Sequence, residues 1–296
     1  MKEKKQKKEE IIEEEKKSHK IINIFIFLII LLFLLFCYSK YIGIKGIITK
    51  EYRVESNILT RHFSGLKIVH FSDLLLKSTI DMKDVDELIE KINILNPDLI
   101  VFTGDLVNQG SKLSEEEKNN LINKLKSLKA KIGKYAVKGS ADYTLDYFEE
   151  IMTQSDFTLL SNSYDTIYKD YNDPIYIVGL PPSQKETIDL EKSFEFYSEE
   201  NRKYIIVLSH DGMTIEKLDK SSYEVDLILC GHSLGGSIIL PFYGPLIKEK
   251  QSGNYFLPEY EKGITKIFVS SGIGTRKYNY RFLNKPSFNL YRLKSL

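Results

Sequence analysis

Residues 98–105 read Asp-Leu-Ile-Val-Phe-Thr-Gly-Asp, an apolar run that ends abruptly on a carboxylate. An unbroken run of branched and aromatic side chains suits a strand covered on both faces, as in sheets flanked by helices. The pattern repeats upstream, where residues 66–73 read Leu-Lys-Ile-Val-His-Phe-Ser-Asp. It repeats downstream, where a strand over residues 134–138 runs into Gly139-Ser140-Ala141-Asp142. Strands expected over 204–208 and 225–229 run into Ser209-His210 and Gly231-His232. Open α/β sheets collect their ligand-binding loops at the carboxyl ends of strands. Five strand ends carrying Asp or His therefore predict one shared site.

Helices alternate with these strands. In residues 84–95 (DVDELIEKINIL), Val85, Leu88, Ile92 and Leu95 fall on one face, and Asn96-Pro97 ends the helix. Ser114 and Glu117 have capping-box spacing, which opens a helix expected to reach about Ala130, with Gly133 as its stop. Another helix is expected near 145–154, an edge strand over 50–60, and further strands near 175–178, 238–240, 266–269 and 288–291. The alternation argues an α/β fold with central sheets buried on both faces. No internal repeat and no linker divides it.

The N-terminus is different material. Residues 1–20 hold eight Lys and six Glu and almost no apolar side chain, so a disordered or loosely helical tail is expected there. Residues 21–38 then read IINIFIFLIILLFLLFCY, with Asn23 the one strongly polar member. At about 1.5 Å per residue this covers roughly 27 Å, and residues 39–43 extend it across a bilayer core. A cleaved signal peptide is the rival, but the run is long and Lys40-Tyr41 stands where a small-residue cleavage site belongs. Three regions follow: a charged tail (1–20), an uncleaved transmembrane anchor (21–43) and one large domain (44–296). Lysines flank the anchor on both sides, and the positive-inside rule favours a cytoplasmic N-terminus only modestly.

Composition excludes some partners. The 296 residues carry a net charge of +1, without the basic excess of a nucleic-acid-binding surface, so no nucleic acid is expected. The two cysteines, Cys37 in the apolar run and Cys230 at a strand end, give no disulfide framework.

The ordered series Ser72-Asp73, Gly104-Asp105, Gly139-Ser140-Ala141-Asp142, Ser209-His210 and Gly231-His232-Ser233-Leu234-Gly235-Gly236 resembles the calcineurin-like metallophosphoesterases, in particular their membrane-associated bacterial branch. The resemblance spans residues 65–292 and includes Ser271-Gly272-Ile273-Gly274-Thr275 and Arg281-Phe282. It implies a four-layer sandwich of two mixed β-sheets flanked by helices, with a dinuclear metal centre on the loops along one edge. It also implies a single-pass protein of the cell membrane, N-terminus cytoplasmic and C-terminal domain extracytoplasmic. In such a centre two cations about 3.5–4 Å apart share a carboxylate and a water, and clamp the phosphoryl oxygens for in-line attack.

Laid on the family pattern, Asp73 matches a ligand of the first metal and Asp105 the bridging carboxylate. His210 and His232 match ligands of the second metal. Two histidines of the first metal are replaced by Leu75 and Leu234. The second metal's Asn is Ser140, and the histidine near the leaving group is Ala141. Asn108 stands where the family usually has Asp. A two-metal centre is therefore not expected. Asp105, His210 and His232 with an open water position match a recognised set for one divalent metal, zinc or manganese.

Three functions compete. One is a membrane-anchored pseudoenzyme that binds or scaffolds, with an envelope phosphoester or a protein as partner. Another is a one-metal phosphodiesterase or phosphatase, and the third a structural envelope protein. Outside the set, His70 is expected to be a packed core imidazole, and neither His62 nor His19 is given a role. Asp142 is expected to cap the helix after it. Asp211 is expected either to orient His210 or to lie exposed, and Cys230 to be buried and inert.

Overall fold

The computed structural model describes residues 1–169 and 173–296, without the side chains of residues 2–15. The chain opens with helix α1 (Lys2–Cys37), closed by a π turn (Tyr38–Ile42). The charged tail is thus helical in its backbone. Strands β1 (Ile48–Ser56) and β2 (Lys67–Phe71) precede α2 (Met82–Ile94), β3 (Leu99–Phe102), α3 (Glu115–Lys126), β4 (Gly133–Ala136) and α4 (Phe148–Gln154). Next come β5 (Thr158–Leu159), β6 (Ser163–Ile167), β7 (Ile175–Leu180), α5 (Leu190–Ser193), β8 (Ile205–Ser209), α6 (Gly212–Leu218) and β9 (Leu227–Cys230). A small hairpin, β10 (Ile239–Leu240) with β11 (Gly244–Pro245), leads to β12 (Glu259–Lys262), β13 (Thr265–Val269) and β14 (Ser287–Ser295).

Two six-stranded mixed sheets result, in the orders β1-β14-β2-β3-β4-β5 and β12-β13-β9-β8-β7-β6. Side chains alternate across a strand, so each apolar run feeds two cores. Ile68 of β2, Val101 of β3, Ile206 and Leu208 of β8 and Leu229 of β9 meet in the core between the sheets. Val69, Phe71, Ile100 and Phe102 face the other way, against α2, α3 and α4. Ile205, Val207 and Ile228 of the second sheet pack on α6 through Ile215 and Leu218. This is the expected four-layer arrangement.

The sequence expectations hold in outline and fail at particular ends. The Ser114–Glu117 capping box forms, but α3 stops at Lys126, short of Ala130. Gly133 starts β4 instead of ending a helix. The N–H groups of Lys131 and Ile132 already donate to the carbonyls of Pro97 and Asp98, so the chain has joined the sheet before Gly133. The helix expected near 145–154 begins at Phe148, after a 3-10 turn over Asp142–Thr144. Helices α5 and α6 and the short strands β5, β6, β11 and β12 lie outside the expectations.

The segment Lys16–Ile42 is long and apolar enough to cross a membrane, judged by length and composition. Its apolar side chains from Ile21 to Leu35 are exposed.

Candidate functional site

The strand ends converge as the sequence predicts. Asp73 follows β2, Asp105 follows β3, His210 follows β8 and His232 follows β9, and all four are buried. Among the described residues, Asp105, His210 and His232 each offer a donor atom within 4.8 Å of the others. Asp73 joins them through its Oδ2, which accepts from the backbone N–H of His232 (2.9 Å) and from Ser72 Oγ (2.7 Å).

Three of the four side chains, those of Asp73, Asp105 and His210, are held by backbone. His210 Nδ1 donates to the carbonyl of Thr103 at 2.6 Å, which turns Nε2 toward the centre. Asp105 Oδ1 accepts from the N–H of Ala141 at 2.8 Å. Gly139 permits this closeness, since a Cβ there would lie 2.3 Å from Asp105 Oδ1 and 2.8 Å from His210 Cε1. Asp73, Asp105 and His232 adopt left-handed φ of 50°, 60° and 63°. Such values in non-glycine residues carry strain, and strained residues cluster at functional sites. Leu75 (48°) and Leu234 (50°) share the conformation although their side chains are aliphatic.

Asp142 corrects an expectation. It is fully buried and caps no long helix. Its carboxylate accepts from the N–H groups of Asp105 (2.7 Å), Leu106 (2.8 Å) and Gly139 (2.8 Å), tying the loops after β3 and β4 together. Burial, then the charge of Asp105, pushes its pKa up to about 7. Asp211 is buried and caps α6 by accepting from Thr214 N–H, so it neither lies exposed nor orients His210. His70 is the packed core imidazole expected, 2.8 Å from Thr103 Oγ1 and 3.3 Å from Tyr291 Oη. Cys230 is buried, which raises its pKa and keeps it a thiol.

The residue that sequence reasoning missed is Arg276. Its Nη2 donates to Asp73 Oδ1 (2.6 Å) and Asp105 Oδ2 (2.8 Å), and lies 3.3 Å from His210 Nε2. Its Nη1 lies 2.8 Å from His232 Nδ1. One guanidinium thus touches every candidate ligand. The one available signal was its place directly after Gly274-Thr275, the end of a motif already singled out. Electrostatics follow from it. Burial opposes ionisation of Asp105, but His210 and Arg276 outweigh it and hold the carboxylate well below its usual range. Burial would lower His210, yet Asp105 raises it to about 9. Burial and then Arg276 push His232 far down, so it stays neutral.

The donors do not fit a two-metal centre. Leu75 and Leu234 are buried, and the nearest neighbours of a Cβ placed on Gly272 would be Leu234 Cδ2 and Asp73 Cβ, so a methyl fills space beside the one remaining carboxylate of the first metal. The second set fits one cation by donor type and spacing, but Arg276 already lies among the same atoms. A cavity of about 800 Å³ opens onto this cluster, lined among others by Asn108, Ser140, Gln184, Lys250, Arg276 and Lys277.

Comparisons with known proteins point to one family. The calcineurin-like phosphoesterase family pattern matches residues 66–236. The Bacillus subtilis protein "Uncharacterized metallophosphoesterase YkuE" is 33% identical over 87% of this chain and 89% of its own. The UDP-2,3-diacylglucosamine pyrophosphatase LpxG of Chlamydia muridarum is 27% identical over 78% of this chain and 84% of its own. A Danio rerio "Transmembrane protein with metallophosphoesterase domain" is 24% identical over 73% of this chain and 50% of its own. Members of the family use divalent metals. Matched over more than half its length, with the ligand loops in the expected order on two mixed sheets, the chain belongs to the calcineurin-like phosphoesterase family.

Proposed function

We propose that this protein is a membrane-anchored pseudoenzyme of its family, which binds a phosphoester in the cleft and does not hydrolyse it. The observation that carries this is the Arg276 guanidinium among Asp73, Asp105, His210 and His232. Arg276, with the protonated His210 beside Asp105, balances carboxylates that elsewhere in the family face divalent metal. A guanidinium polarises a phosphoryl oxygen less than a divalent metal and generates no hydroxide. Ala141 transfers no proton. What remains is recognition: Arg276, Lys250 and Lys277 at the cleft suit an anionic phosphoester, since guanidinium and ammonium groups are standard phosphate partners. The apolar segment Lys16–Ile42 supports a single-pass anchor. We place the domain on the extracytoplasmic side, on the membrane-branch resemblance and the charge flanks. A pyrophosphatase of a diacylated sugar nucleotide among the relatives supports an envelope lipid phosphoester as the ligand class.

A second reading rests on the converging donors of Asp105, His210 and His232. If Arg276 withdraws, these residues would hold one divalent cation, which supplies Lewis-acid polarisation of a phosphoester.

Metal content separates the two. Purified residues 44–296 are exposed to zinc and manganese, and bound metal is measured by elemental mass spectrometry beside hydrolysis of bis(p-nitrophenyl) phosphate. The expected result is no bound metal and no turnover, with metal taken up only by Arg276→Ala. About one metal per wild-type chain, lost in His232→Ala and accompanied by turnover, would establish the hydrolase instead.

A further inference from the structure

The segment just after Arg276 runs to the foot of the anchor. Tyr280 lies 5.4 Å from the ring of Phe36, inside the apolar span, and Phe282 stands edge-on to Tyr38 at 6.1 Å. Arg281 N–H donates to the carbonyl of Ser39 at 3.0 Å. A Cβ on Gly43 would lie 1.9 Å from the Arg281 carbonyl oxygen, so backbone meets backbone there. On its far side this segment carries the β10–β11 hairpin: Ile238 bridges Phe282, and Ile239 N–H donates to the Phe282 carbonyl at 2.9 Å.

The outer surface beside the anchor is apolar. Phe242 at the hairpin tip is fully exposed, Tyr243 73%, Leu283 57% and Leu246 51%. Tyr41 and Ile42 at the end of the anchor are exposed too. Phe242 and Leu283 have left-handed φ of 65° and 52°. Exposed, bulky side chains in that region gain no packing within the chain to offset the strain. Lys40 lies over Tyr41 at the end of the anchor, and Lys277 over Tyr278 in the segment that runs to its foot. Aromatic rings and lysines together are the composition of a membrane–water interface, and lysines are drawn to anionic headgroups.

From this continuity with the apolar helix we infer that the hairpin of residues 238–246, with Leu283, is a second membrane contact: it lies in the headgroup layer of the leaflet facing the domain. The inference rests on the anchor proposed above. Two contacts on either side of residues 276–283 fix the domain's tilt and present the cleft beside Arg276 and Lys277 to the lipid surface. The anchor's foot already packs on residues 280–282, and the hairpin adds a second, separate point of support.

The chain contains no Trp, so one substitution gives a clean reporter. The full chain is reconstituted in vesicles of phosphatidylcholine and phosphatidylglycerol as Phe242→Trp, Phe33→Trp or Tyr168→Trp. Position 242 replaces an exposed ring by another, 33 tests the anchor, and Tyr168 is an exposed site beyond the end of β6, at the opposite edge of its sheet from β12. Emission and quenching by brominated lipid are recorded. The expected result is blue-shifted emission and at least about two-fold quenching at 242, as befits an interfacial ring, with neither at 168. Quenching at 33 without quenching at 242 overturns the inference while leaving the anchor intact. Failure at 33 overturns the anchor itself. Emission at 242 that is shielded from water yet indifferent to brominated lipid assigns the patch to a protein or a second copy, and also overturns it.

Discussion

At the residue scale, His70 shows what burial does to an ionisable group. Its ring lies in the core between the sheets with hydrogen bonds to Thr103 and Tyr291, and burial pushes its pKa down to about 3. The unfolded chain takes up a proton near pH 6.5 that the folded chain refuses. Stability from this residue is therefore complete above pH 6.5 and drains away as pH falls toward 3, by about 1.4 kcal/mol per unit. Between pH 7 and 5 the wild type should lose about 2 kcal/mol more than His70→Gln, whose amide retains hydrogen bonding without titrating. Urea titrations of residues 44–296 at the two pH values check this, and equal losses in both proteins would refute it. The burial of His70 was legible because it interrupts an apolar strand. Arg276 was not, because an arginine in a loop ordinarily reads as solvated. Its partner Asp105 lies 171 positions away, a separation that no local pattern reveals.

At the element scale, strands were easier to place than the loops they feed. β2, β3, β8 and β9 are apolar runs buried on both faces, and their carboxyl ends announce Asp73, Asp105, His210 and His232. The short edge strands β5 and β12 lack such runs, and sheet pairing alone defines them. Helix α6 had a signal in Asp211, three positions before Thr214, with Ile215 and Leu218 on one face. Asp142 exposes the limit of motif reasoning: an acidic residue before a helical stretch resembles a cap, but here it braces two loops. The two roles predict different mutants. At a helix N-cap, Asn replaces Asp with little loss. In the observed geometry Oδ1 and Oδ2 both accept from backbone N–H groups, and one face of an Asn amide would confront donors with donors. Asp142→Asn should therefore cost about 3 kcal/mol or more and come close to Asp142→Ala, because buried N–H groups lose their partners. Chemical denaturation of both variants decides between brace and cap, and an Asn variant as stable as the wild type returns Asp142 to capping.

At the scale of the whole molecule, the backbone at the site keeps one conformation whatever side chain it carries. Leu75 and Leu234 still occupy left-handed φ, beside Asp73, Asp105 and His232 with the same sign of φ, although no aliphatic side chain gains from it. The loops are held by other parts of the fold: by Asp142, by Gly139 pressed against Asp105, and by N–H groups of Leu75 and Leu76 donating to the carbonyls of Asp105 and Leu106. Losing a ligand therefore need not reshape the site, and a guanidinium can settle where the carboxylates remain. On the proposed reading, metal-ligating side chains placed on these same loops should confer the chemistry. A variant combining Leu75→His, Leu234→His, Ser140→Asn, Ala141→His and Arg276→Ala should bind about two divalent ions per chain and acquire hydrolysis of bis(p-nitrophenyl) phosphate. Arg276→Ala without the four additions should gain at most one ion, because Asp73 stands alone on its side of the bridge. Elemental mass spectrometry with a manganese-dependent rate assay reads both. A five-fold variant that folds and yet holds no metal would show that the loops have drifted from ligating geometry, and that Arg276 fills a cleft already unable to take a metal.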